Sequence, residues 1–259
     1  MRIVGLVKQI YDPAEIRPSL QGPELKLEGV PRIVNPFDEF GIEECLQWKE
    51  KLGCEVVIIT MGDENAPEVL RTALAMGVDA VYHIMDLAFA GADTYVTSHA
   101  LAKAIEKIGG ADLIIAGKIA LGGDTAHVGS QVAAWLDIPV ITYVSKVNEF
   151  VPAEKKIVAE RLLEGGKEVV SSTLPCVITV VKDINKPRYP SLMGLRKAAK
   201  VQIPVFSKAD LGIGDDISAL EAMVKVTPPP ARPAGEMLSG STEEMVNQLL
   251  EKLFAQKVF

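Results

Sequence analysis

The sequence predicts an α/β fold built on a parallel sheet with helices on both faces, extended by extra strands and by a C-terminal arm that ends in a helix. Three observations predict it. Nearly unbroken apolar runs such as Glu55-Val56-Val57-Ile58-Ile59-Thr60-Met61 have the composition of strands buried on both faces. These runs alternate with helical patterns through the first half, the order that builds parallel sheets. A glycine-rich link, Gly117-Lys118-Ile119-Ala120-Leu121-Gly122-Gly123-Asp124-Thr125-Ala126-His127-Val128, joins one such run to an apolar-spaced segment with helical character.

Composition narrows the classes. With 259 residues the chain can bury one substantial core or two unequal ones. A net charge of −7 and 48% hydrophobic residues describe a mildly acidic globular protein without the basic excess of a nucleic-acid binder. Aromatics at 5% leave few stacking platforms for bases. The N-terminal apolar run is too short for a signal peptide, and no run approaches a membrane span. Cys45, Cys54 and Cys176 have neither metal-like spacing nor an even count, which suits a reducing compartment, so a cytoplasmic location is expected.

In chain order, Arg2 to Lys8 reads as the first strand. A polar excursion follows to Arg32, with a small hairpin expected at Leu25-Lys26-Leu27. Asn35-Pro36-Phe37-Asp38-Glu39 marks a helix start, with Asn35 as the cap, Pro36 in the first turn and acids beside it. That helix is expected to run to about Leu52, with Phe40, Cys45, Leu46 and Trp48 inward, and to stop at Gly53. After the strand 55–61, Ala66 to Met76 reads as a helix closed by Gly77. Ala80 to Met85 is a third strand, Asp93 caps a helix reaching about Ile108, and Asp112 to Ala116 is a fourth strand. Ser130 to Leu136 reads as the next helix. Strands are then expected at 140–147, 156–163, 167–172 and 176–181, with a hairpin at Glu164-Gly165-Gly166-Lys167. Ser191 to Lys200 suits a short helix carrying Arg196, Lys197 and Lys200.

The expected division is an α/β domain over 1–205 and a C-terminal arm over 206–259. Pro228-Pro229-Pro230-Ala231-Arg232-Pro233 reads as an extended spacer. Ser241 or Thr242 caps a last helix with Met245, Leu249, Leu253 and Phe254 on one face. So small an element has no core of its own and must fold back or dock on another chain.

Parallel sheets bind ligands where their strands end, at the carboxyl side. Four loops are therefore expected to meet there: after Val7, around Asn35, at Met61-Gly62, and 117–128. The last loop presents free N–H groups at a helix start, where phosphates settle. Thr125 adds a hydroxyl, and Asp124 is placed either to cap the helix or to hold a ribose. The loop matches neither the dinucleotide fingerprint nor a P-loop, so nucleotide binding and an ordinary capped glycine turn both fit the residues alone. No nucleophile–base pair or acid pair stands out, and hydrolytic catalysis is not supported.

Three groups of residues carry a family resemblance. The first is Ala159-Glu160-Arg161-Leu162-Leu163-Glu164-Gly165-Gly166-Lys167-Glu168-Val169-Val170 followed by Leu174-Pro175-Cys176-Val177-Ile178-Thr179. The second is Pro187-Arg188-Tyr189 with Leu192. The third joins Val7-Lys8-Gln9, Asn35 to Glu39, Arg71 to Gly77, and Gly123-Asp124-Thr125-Ala126. Together they resemble the beta subunit of an electron transfer flavoprotein over almost the whole chain. The resemblance implies an adenine-nucleotide-binding domain, a heterodimer with an alpha subunit, and passage of electrons between NADH or acyl-CoA-type dehydrogenases and a quinone- or ferredoxin-type acceptor. It implies a nucleotide site lined by Leu6, Asn35, Pro36, Phe37, Asp38, Met61 and the loop Gly117, Lys118, Ile119, Ala120, Leu121, Gly122, Gly123, Asp124, Thr125, Ala126, His127 and Val128.

By the same resemblance, Phe37 lies near a flavin held mainly by the alpha subunit, Arg161 either reaches the alpha chain or faces Glu168 across the hairpin, and a flavin dehydrogenase docks around Arg188, Tyr189 and Leu192. The site ligand is a second FAD in the electron-bifurcating kind and structural AMP in the other. The segment Gly122 to Ser130 resembles the first kind's Asp-Gly-Asp-Thr-Ala-Gln-Val-Gly-Pro more than the second's Asp-Asp-Asp pattern, but departs at Gly122, His127 and Ser130, and at Ile119, where a glutamine is common. The rival class is a stand-alone adenine-nucleotide-binding protein; the absence of a Ser-Gly-Gly-x-Asp-Ser loop argues against an ATP pyrophosphatase.

Overall fold

The computed structural model describes residues 1–16, 27–222, 224, 230 and 234–258. The strands are β1 (Arg2–Leu6), β2 (Gln9–Tyr11), β3 (Arg32–Val34), β4 (Glu55–Met61), β5 (Ala80–Ile84), β6 (Leu113–Gly117), β7 (Val140–Val151), β8 (Lys156–Leu163), β9 (Gly166–Thr173), β10 (Cys176–Val180) and β11 (Val205–Phe206). The helices are α1 (Pro36–Leu52), α2 (Pro67–Met76), α3 (Thr94–Lys107), α4 (Val128–Trp135), α5 (Leu192–Ala198) and α6 (Thr242–Ala255).

One nine-stranded sheet runs in the order β11-β5-β4-β1-β6-β10-β7-β8-β9. From β11 to β7 every pairing is parallel, and β8 and β9 close the far edge antiparallel. The chain leaves β1 toward β4 and β5, then crosses over to β6 on the other side of β1. The carboxyl ends of β1 and β6 therefore form a topological switch point, where the outgoing loops diverge and leave a crevice.

Period-two alternation puts successive residues of each central strand into opposite cores. Ile3, Val56, Ile58, Ile115 and Ile178 pack with Cys45, Leu46 and Trp48 of α1 and with Val69, Leu70 and Ala73 of α2. Val4, Val57, Ile59, Ile114 and Val177 pack on the other face with Val96, Leu101 and Ile105 of α3 and with Val132 of α4. This double burial is why the strands read as continuous apolar runs. Among the inward residues expected on α1, Phe40 is only partly buried.

Several helix ends have a local cause. Gly53 ends α1 in the left-handed conformation, its N–H bonding Lys49 O. Asp93 caps α3 by accepting from Val96 N at 2.9 Å, and its second oxygen accepts from Leu220 N at 2.7 Å. In α6, Ser241 and Glu244 form a reciprocal capping box. The hairpin β8–β9 pairs Leu163 with Gly166, leaving Glu164-Gly165 as its turn.

Some expectations shift. Helix α4 starts at Val128 rather than Ser130, and β7 runs on to Val151. Lys200 lies beyond α5. A two-strand ladder, β2 with β3, brackets the polar excursion; of the hairpin expected at 25–27, Leu25 and Lys26 lie outside the described residues, as does most of the proline spacer. Beyond residue 205 the chain first adds β11 to the sheet edge, and Leu211 and Ile213 bury into the second core. No helix among the described residues is long and apolar enough to cross a membrane.

Ile115 is fully buried at the centre of the first core. Ile115→Ala should cost about 2–5 kcal/mol of stability, whereas Val169→Ala on the exposed edge should stay within about 0.5 kcal/mol; chemical denaturation of the two variants checks the contrast.

Candidate nucleotide site

At the switch point, the first turn of α1 holds three loops together. Asp38 is buried, and its carboxylate accepts from Lys8 N at 2.8 Å and from Gly117 N at 3.1 Å, bridging the ends of β1 and β6. Asn35 is fully buried; its amide donates to Ile119 O at 2.8 Å and its oxygen accepts from Leu121 N at 3.2 Å. Asn35 N donates to Lys8 O at 2.9 Å. The expected cap role of the Asn35 side chain is thus corrected: it makes no cap bond to the backbone amides of its own helix start. Its hydrogen-bonding groups satisfy the glycine loop instead.

The fourth loop joins through ion pairs and amides. Arg32, on β3, binds Asp63 at 2.6 Å, and Gln9 donates to Asn65 O at 2.9 Å. His83 is buried and its Nε2 sits 3.1 Å from Gly62 O, so it supports the turn after β4 and is structural. Met61 is partly buried at the rim, while the Leu6 side chain is buried in the second core and is available to a ligand only through its backbone.

Gly117 shows why the link begins with glycine. A Cβ there would stand 2.8 Å from the Phe37 backbone carbon and collide with the Asp38 carboxylate. The close approach of α1 to the end of β6 excludes any side chain. Lys118 then turns outward, its ammonium 4.9 Å from the centre of the Phe37 ring and 5.6 Å from that of Tyr143.

The loop is largely exposed from Leu121 to Thr125. Asp124 and Ala126 adopt positive φ of 51° and 56°, a strained conformation for residues other than glycine. Such turns point backbone N–H groups into a shared concavity suited to anions. Asp124 does not cap α4, which corrects that half of its expected role; the N-cap position is His127, with no side-chain cap bond. Thr125 Oγ1 lies 3.5 Å from His127 N. The first-turn amides of α4 are therefore left to an external acceptor.

Sequence reasoning missed two neighbours. Lys8 has its ammonium beside the Gly122 turn, at 3.9 Å from the position a Gly122 Cβ would take; its place at the end of the first strand was the available signal. Tyr143 takes a φ of 58° in the middle of β7, beside the register shift against β10, and donates its N–H to Thr179 Oγ1 at 3.1 Å. No sequence pattern marks that bulge. Arg161 donates to Thr142 Oγ1 at 2.9 Å and lies 3.7 Å from Glu168, its cross-strand partner in the hairpin.

Comparison with known proteins follows this geometry. The family model described as the electron transfer flavoprotein domain matches residues 25–211. A protein named electron transfer flavoprotein subunit beta from Thermoanaerobacterium thermosaccharolyticum is 41% identical over 263 residues, covering 100% of both chains. The caffeyl-CoA reductase-Etf complex subunit CarD of Acetobacterium woodii is 40% identical, covering 98% of both. The protein FixA of Bradyrhizobium diazoefficiens is 37% identical over 98% of this chain and 91% of its own.

Burial pushes the Asp38 carboxyl up to about 7, against the lowering effect of the hydrogen bonds from Lys8, Asn35 and Gly117. An acid with a raised folded-state pKa binds its proton more tightly folded than unfolded, so its contribution to stability declines as pH rises from about 4 to about 7. Asp38→Asn should remove that decline, worth up to about 4 kcal/mol, as read from urea unfolding at a series of pH values. Gly117→Ala should cost about 1–3 kcal/mol through overpacking against Phe37 and Asp38, measured the same way.

Proposed function

The chain belongs to the electron transfer flavoprotein family as a beta-type subunit that serves in electron transfer, and from that membership we propose that its glycine loop holds FAD in a heterodimer with an alpha subunit. The observation that carries this reading is the strained loop 117–128, which opens onto the uncapped start of α4 at the sheet's switch point. Two left-handed residues and helix-start amides without a side-chain cap fit a phosphate-bearing ligand.

The residues divide the work. Backbone groups of Gly122 to Val128 bind the phosphates, and Lys8 supplies a nearby positive charge. Asn35 and Asp38 fix the loop's shape without touching the ligand. Met61 and Leu6 bound the crevice. Phe37, with Lys118 beside its ring, presents an apolar edge that excludes water from the alpha subunit's flavin. FAD held here by the loop 117–128 would supply hydride and one-electron chemistry, which the protein only places and tunes. Electrons pass between flavin dehydrogenases of the NADH or acyl-CoA type and a quinone- or ferredoxin-type acceptor. The relative named for a caffeyl-CoA reductase complex supports a CoA-ester dehydrogenase as partner.

The start of the C-terminal arm packs on this chain's own sheet edge and second core, and its end, α6, belongs to the heterodimer interface in this reading. Helix α6 buries none of its side chains and exposes Val246, Leu249 and Leu250 along one stripe. The dehydrogenase docks on the loop after β10, where Tyr189 and Leu192 are exposed.

A second reading is structural AMP in the same site, because the loop departs from the FAD-binding pattern at Gly122, His127 and Ser130, and at Ile119, where a glutamine is common. Co-purification with the alpha subunit followed by extraction of the nucleotides decides between them. Two FAD per heterodimer is the expected result. One FAD with one AMP would establish the second reading, and no flavin at all would refute both.

A further inference from the structure

The loop between β10 and α5 is held to α1 by buried carboxylates that the nucleotide site does not use. Glu43 has a side chain only 5% exposed and meets Arg188 in a two-pronged pair, Nε to Oε2 at 2.8 Å and Nη2 to Oε1 at 3.0 Å. The backbone N–H of Arg188 also donates to Glu43, at 3.2 Å, and its remaining guanidinium nitrogen reaches Glu50 at 2.5 Å. The next residue, Glu44, accepts from Asn185 at 3.0 Å and from the Trp48 indole at 2.7 Å, and Asn185 also donates to Phe40 O. At the other end, Arg71 of α2 donates to Ala198 O at 2.7 Å.

Between these anchors the chain exposes Tyr189 at 94%, Leu192 at 81% and Met193 at 70%. Lys186, Arg196 and Lys197 are exposed around them. Large apolar side chains held out in water on a tightly fastened loop are unusual for a solitary surface. The charge of Arg188 is consumed internally, so the residue that looks like a contact is an anchor.

Resting on the docking reading above, we infer that Glu43 is a positioning residue for partner recognition: through Arg188 it pre-forms the loop that presents Tyr189, Leu192 and Met193 to an apolar pocket with an acidic rim. A loop already ordered before the encounter does not have to be ordered by it, which strengthens binding without adding a contact. The two-pronged geometry is specific to a carboxylate facing a guanidinium, and neither glutamine nor lysine reproduces it.

The test uses the full heterodimer with an acyl-CoA dehydrogenase as the electron donor and compares Glu43→Gln, Arg188→Lys and Leu192→Ala. Glu43→Gln and Arg188→Lys should each raise the KM for the heterodimer about tenfold or more with little change in kcat. Both should speed hydrogen exchange at residues 185–192 while nucleotide and flavin content hold. Leu192→Ala should raise KM without loosening the loop. If Leu192→Ala weakens transfer and the two anchor variants do not, the inference is overturned and the docking reading stands. If Leu192→Ala has no effect, or the wild type shows no saturable transfer, the docking reading itself fails for this class of partner and takes the inference with it.

Discussion

The structure depends on one buried aspartate at the place where the sheet changes direction. Strands β1 and β6 end side by side, and their last amides point into a crevice where no further strand continues the ladder. Asp38 accepts from both, at Lys8 and at Gly117, and Asn35, three residues earlier, satisfies both a donor and an acceptor of the loop beyond. Without these partners a buried backbone group at each strand end would be left unsatisfied, at a cost of about 1–3 kcal/mol apiece. The arrangement carries a cost of its own, the desolvation of a carboxylate, visible in the raised pKa of Asp38. The same close approach leaves no room at Gly117 for a Cβ, so loop sequence and helix sequence constrain one another.

Helix α1 has a second task along its length. Its first turn shapes the glycine loop, and its middle turns fasten the segment that exposes Tyr189 and Leu192. Trp48, farther along, packs edge-on against Phe150 of β7 at 5.1 Å and ties the helix into the first core. A single rigid element thus sets the separation between the glycine loop and the apolar loop. In a protein that serves in electron transfer, fixed spacing has direct functional value.

Much of this was legible in the sequence because the strong signals are local. The apolar run at 55–61 and the strand at 156–163 agree with the structure to the residue, and Gly53 and Asp93 end and begin helices as glycine and aspartate do at those positions. The side-chain partners were not legible, because they come from distant parts of the chain. Asn-Pro at a helix start reads as a cap, yet Asn35 bonds across 84 residues to Ile119. Asp124 sits where a cap would be expected, but its backbone is left-handed and the N-cap position falls at His127. Arg188 looked like an exposed contact until Glu43, 145 residues earlier, was seen to hold it. The resemblance located the loop; the geometry explains why that loop has the shape it has.

The central claim is that α1 shapes the glycine loop before any ligand arrives. Amide hydrogen exchange on the heterodimer stripped of nucleotide tests it most directly, read at Lys8, Gly117 and Leu121. The account predicts that Lys8 and Gly117 exchange as slowly as the neighbouring strand amides, with Leu121 protected to a lesser degree, and that adding nucleotide changes them little. Rapid exchange at all three that becomes slow only when nucleotide binds would contradict it, and would make the ligand, not the helix, the organiser of the site.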